Sequence, residues 1–206
     1  MREGIIPAAA PTFQGEARAP FFLVGQAPGP VEVEQGRPFA GRAGREIARW
    51  MARAGFASEE EFRRLTYLAA VMRCFPGRLP SGKGDRPPPG RAMRNCASWL
   101  DAELALVRPR VLILVGQLAI RRFLGPGSLE ERVGRTFGDD PLVIPLPHPS
   151  GQSRWLNDPA NRDRLARALD RLGEQRRLVG VDPGAVATPG SRLDGYAVDF
   201  RERIQK

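Results

Sequence analysis

Two loops rich in glycine and proline carry the groups of this chain best suited to act on a ligand. The first reads Gly25-Gln26-Ala27-Pro28-Gly29 and runs on to Gly36-Arg37-Pro38-Phe39-Ala40-Gly41. The second reads Pro147-His148-Pro149-Ser150-Gly151-Gln152-Ser153-Arg154. Glycine lets a backbone approach a ligand closely, and proline stiffens the chain around it. A stiff loop with a few polar groups is suited to gripping a flat ring. His148 is the only histidine, and between two prolines it is poor core filler. Its ring N–H can donate to a carbonyl oxygen that gains negative charge as a leaving group departs. Gln26 can orient a water molecule through hydrogen bonds, but an amide is not a general base. Ser150 and Gly151 offer a hydroxyl and a backbone N–H to phosphate. The competing reading of His148 is a surface histidine with no role.

Both loops follow apolar runs that read as strands. Residues 21–24, 67–72 and 111–115 are short, continuous apolar segments of the kind buried in a parallel sheet. A fourth, 142–146, contains Pro145 and is expected to be short or near an edge. Helices are expected over 45–54, 91–107, 117–124 and 159–172, the last with Leu165, Leu169 and Leu172 on one face. Strands alternating with helices predict an α/β fold with a mainly parallel sheet covered on both faces. Ligands of such sheets bind beyond the carboxyl ends of the strands, where both loops begin. The segment 76–91, PGRLPSGKGDRPPPGR, reads as a long exposed loop, and long loops inside compact domains are usually functional or disordered. One domain over 1–173 is expected, with 174–206 as an extension or tail.

Composition narrows the class. Among 206 residues, 42% are hydrophobic and 27% charged, as in ordinary globular domains. No apolar run suits a membrane helix, and the first residues lack the apolar core of a signal peptide. Two cysteines, Cys74 and Cys96, do not make a disulfide framework, so a cytoplasmic location is expected. The net charge of +9 favours a polyanion such as DNA as the partner. All but two of the 32 basic residues are arginine, the exceptions being Lys83 and Lys206. Codon bias accounts for arginine over lysine but not for the surplus over acids. The chain is expected to act as a monomer.

The segments GQAPG, GRPFAGRAG and HPSGQSR, in this order and spacing, resemble the active-site motifs of uracil-DNA glycosylases, with GRPFAGRAG most similar to the iron–sulfur branches. The resemblance spans residues 21–172 and implies a three-layer α/β/α fold around a four-stranded sheet. It implies a DNA-repair glycosylase that flips uracil, and other deaminated bases with it, out of DNA and hydrolyses the N-glycosidic bond. Carried onto this sequence, Gln26 and His148 become the catalytic residues. Gly25, Ala27, Pro28, Phe39 and Ala70 become the base-binding residues, with Phe39 stacking on the extruded base. Ser150, Gly151, Gln152, Ser153 and Arg154 become the DNA-binding loop, with Gln152 at the wedge position. Phe39 as ordinary core and Gln152 as a plain loop residue are the rival readings.

Three departures from the resemblance matter. Where many relatives carry a carboxylate or asparagine that positions water, this chain has Gln26 and Ala27. Where uracil-strict iron–sulfur relatives carry an asparagine that reads uracil's edge, it has Ala70, which implies broader base tolerance. Cys74 and Cys96 match only the second cysteine pair of a 4Fe–4S site, and four thiolates are the usual requirement. Either this member lacks the cluster or the sequence begins downstream of the natural start; two free thiols and no cofactor are expected for this polypeptide. The alternative function is a damaged- or abasic-DNA-binding protein with little catalysis. A serine hydrolase using Ser150 and His148 lacks a G-x-S-x-G elbow, and GQAPG is not a dinucleotide-binding G-x-G-x-x-G.

Overall fold

A computed structural model describes residues 6–7, 10–149 and 154–181. In chain order the elements are β1 (Phe21–Gly25), α1 (Pro30–Gln35), α2 (Arg42–Arg53), α3 (Glu59–Leu65), β2 (Thr66–Ala70) and α4 (Gly90–Val107). There follow β3 (Val111–Val115), α5 (Gln117–Leu124), α6 (Leu129–Arg132), β4 (Leu142–Leu146), a 3₁₀ turn (Arg154–Asn157) and α7 (Pro159–Val181).

The strands form one four-stranded, all-parallel sheet in the order β2-β1-β3-β4. Each strand is almost wholly buried, which is why each reads as a continuous apolar run without alternation. Alternate residues still serve opposite faces. Phe21, Leu23, Leu68, Ile113 and Ile144 pack with Ile47 and Trp50 of α2, Phe62 of α3 and Leu165, Leu169 and Leu172 of α7. Phe22, Val24, Leu112, Leu114 and Val143 pack with Leu100 and Leu104 of α4 and Ile120 and Phe123 of α5. The result is a three-layer α/β/α sandwich. Pro145 is tolerated because β4 is an edge strand, with β3 on one side and only an isolated bridge between Val143 and Phe137 on the other.

Differences from the expected elements have local causes. The apolar run 67–72 leaves the sheet after Ala70, and Met72 then ties back to Gln26 by a backbone bond of 3.1 Å. The segment 76–91 is not shapeless. Leu79 N–H donates to Gly84 O at 3.1 Å and Arg86 N–H to Gly77 O at 2.8 Å, closing a small hairpin. Gly173 does not end α7, which continues to Val181, so the structured chain runs past residue 173. A Cβ at Gly173 would lie 3.2 Å from the Ala54 carbonyl oxygen, so this glycine serves close helix packing instead of a stop. Beyond it the Arg176 guanidinium pairs with Glu61 of α3 and lies 5.6 Å over the Phe56 ring. Among the described residues no helix is long and apolar enough to cross a membrane.

Candidate active site

All four strands run the same way, so Gly25, Ala70, Val115 and Leu146 end along one edge of the sheet, with Gly25 directly beside Ala70. A cavity of about 620 Å³ opens at that edge. Gly25, Gln26, Ala27 and Pro28 enter its wall after β1, Phe39 from the loop before α2, Ala70 at the end of β2, and His148 two residues past β4. Every expected catalytic and base-binding position therefore meets in one place. Arg154 does not join them; it is exposed at the start of the 3₁₀ turn. Ser150, Gly151, Gln152 and Ser153 lie outside the described residues.

Phe39 is half-buried and sits in the left-handed backbone region, at φ +55°. That conformation is uncommon for a residue with a Cβ and requires support. Its ring tip comes so close to Gly25 that a Cβ there would lie 2.8 Å from Cζ. Its carbonyl rests on α2 where only Gly44 fits, since a Cβ would sit 1.7 Å from the Phe39 oxygen. The glycines of GQAPG and GRAG thus make room for one aromatic ring and its carbonyl.

Glu32 joins the two halves of the glycine-rich segment. Its carboxylate accepts from Gly29 N–H at 3.1 Å and from Gly41 N–H at 2.8 Å. Sequence reasoning missed it together with α1, although a Glu three residues after a helix-start glycine is a capping spacing. Asp85, from the 77–86 hairpin, is a further carboxylate in the wall. Partial burial raises its pKa from the ordinary aspartate value; Arg78 at 3.8 Å opposes the rise and Glu32 adds to it. Arg42, Arg78 and Arg86 also line the cavity and are exposed, giving it a cationic rim.

His148 is half-buried, and burial lowers its pKa below the ordinary 6.5. The imidazole is therefore neutral at pH 7, with one nitrogen carrying a proton to donate. It packs on the backbone of Gly116, where a Cβ would lie 3.2 Å from His148 Cδ2. Gly116 has φ +85° and links β3 to α5. A glycine directly after an apolar run is a readable signal for such a close approach.

Cys74 and Cys96 are half-buried and not joined in a disulfide. Burial raises the Cys74 pKa and the proximity of Cys96 raises it further, an environment that favours the neutral thiol at Cys74. Among the described residues no group of three or more His, Cys, Asp or Glu is arranged to hold a metal. The residues of this chain do not fit a four-thiolate iron–sulfur cluster.

A glycine-cradled aromatic and a neutral histidine thus share one cavity at the carboxyl edge of a parallel sheet. The family model of the uracil DNA glycosylase superfamily matches residues 12–173, and the chain belongs to that superfamily. It is 27% identical over 170 residues to a type-4 uracil-DNA glycosylase of Archaeoglobus fulgidus, covering 78% of each chain. It is 28% identical over 141 residues to a type-4 uracil-DNA glycosylase of Thermotoga maritima, covering 66% of this chain and 68% of that one. To a type-5 uracil-DNA glycosylase of Pyrobaculum aerophilum it is 36% identical over 127 residues, covering 60% of this chain and half of the relative.

Proposed function

We propose that this protein is a DNA-repair glycosylase that flips uracil, and at least one deaminated purine, into the cavity and hydrolyses its N-glycosidic bond. The observation that carries the reading is the convergence of Gln26, Phe39, Ala70 and His148 on one cavity at the carboxyl edge of the sheet. Phe39 stacks on the extruded base. The bond from sugar C1′ to the base nitrogen breaks with both electrons going to the base. Neutral His148 donates its N–H to the base carbonyl oxygen on which that charge collects. Water held by the Gln26 amide then attacks the cationic C1′ and its proton passes to the departed base anion, leaving an abasic site and the free base. Base departure leads because an amide orients water without deprotonating it.

A panel of labelled duplexes containing uracil, hypoxanthine or xanthine, followed by alkali, tests this. Strand cleavage at uracil and at one purine is the expected result. The substitution of Gln26-Ala27 for a carboxylate favours one other reading, a protein that binds abasic or damaged sites without cutting. Tight binding with no base release from any duplex would establish that reading instead.

A further inference from the structure

Arg63 is a charged side chain with no expected part in this site, yet it is only 7% exposed. A buried guanidinium is stable only where its donors are satisfied. Here they converge on the residues around Phe39. Nη1 donates to the Pro38 carbonyl at 3.1 Å and to Gln14 Oε1 at 2.9 Å, and Nη2 donates to the Phe39 carbonyl at 3.1 Å. Nε donates to Glu59 Oε1 at 2.7 Å, one turn earlier on α3, and the same oxygen accepts from Arg37 at 3.2 Å. The segment 37–39 is therefore gripped from α3 at three consecutive residues. The grip falls where the backbone turns left-handed at Phe39, and the carbonyl it holds is the one seated on Gly44.

We propose that Arg63 is a positioning residue, a planar clamp on the Pro38 and Phe39 carbonyls that fixes the Phe39 ring at the angle needed to stack on a flipped base. The inference rests on the reading of Phe39 as the stacking ring. Lysine keeps the charge but cannot hold two carbonyls and two side chains with one rigid fork.

The test measures binding of two duplexes by wild type, Arg63→Lys, Phe39→Ala and the double variant. One duplex carries 2′-fluoro-2′-deoxyuridine, whose glycosidic bond resists cleavage; the other carries a tetrahydrofuran abasic analogue, which has no base to stack. Arg63→Lys is expected to weaken the fluorouridine duplex about tenfold, within the range of one base–aromatic stack, and to leave the abasic duplex unchanged. In the Phe39→Ala background it should have no further effect. Equal weakening on both duplexes, or effects that multiply in the double variant, would overturn the clamp. If Phe39→Ala itself leaves fluorouridine binding intact, the stacking reading fails instead. Should Arg63→Lys melt far below wild type, Glu59→Gln, which loosens the same fork, is expected to give the same selective pattern in smaller degree, and a uniform loss would overturn the proposal.

Discussion

At His148 one physical fact, burial, sets both chemistry and stability. Removing the imidazole from water disfavours its charged form, so its folded pKa lies below 6.5. The unfolded chain binds this proton more readily than the folded one. Stability from His148 is therefore full above pH 6.5 and is lost as pH falls through the folded value. Chemical denaturation at stepped pH should show wild type losing ground to His148→Gln as pH drops below 6.5, whereas parallel curves would place His148 in open water. Ala70 bears on selectivity. A pocket rejects a near-isostere strongly only when a directed polar group would be left unpaired against it. Alanine, beside Gly25 at the end of β2, offers no such side-chain group. Ala70→Asn should raise the ratio of uracil to hypoxanthine release, read as kcat/KM on the two duplexes. An unchanged ratio would mean that another group reads the base edge.

The elements that hold these residues were legible to different degrees. The runs 111–115 and 142–146 and the helix 117–124 appear with the expected bounds because buried parallel strands are apolar throughout and α5 ends at a glycine. α1 was missed because its six residues, PVEVEQ, bury nothing and carry no helical periodicity. α3 is anchored by Phe62 and Arg63, and a buried arginine reads as solvent-facing in any sequence pattern. The Phe39 environment was hidden for a related reason: an αL phenylalanine held by two glycines and an arginine is a tertiary fact, while its ring type and neighbouring glycines were visible. α7 offers a prediction at this scale. Since Leu172 is fully buried and Arg176 pairs with Glu61 beyond it, ending the chain at residue 173 should lower the melting temperature by several degrees. Ending it at 181 should preserve these contacts. Equal loss from both truncations would show that they contribute little.

At the scale of the whole molecule, charge and topology act together. The net charge of +9 favours attraction to a polyanion without regard to sequence, and the rim arginines Arg42, Arg78 and Arg86 concentrate positive charge around the cavity mouth. If each meets one phosphate, the logarithm of affinity for an abasic duplex should fall with the logarithm of salt at a slope of about −3 or steeper. Replacing Arg78 by alanine should reduce the slope by about one, and a slope near zero would remove phosphate contact from the account. On the proposed reading, the cavity at the sheet edge breaks a glycosidic bond with His148 stabilising the departing base. Single-turnover release of uracil from a labelled duplex, by wild type and by His148→Ala at saturating enzyme, tests it most directly. The account predicts release by wild type and a loss of about 10²-fold or more in the variant, the effect of removing one charge-stabilising donor. Equal rates in the two proteins, or no release by wild type at any enzyme concentration, would contradict it.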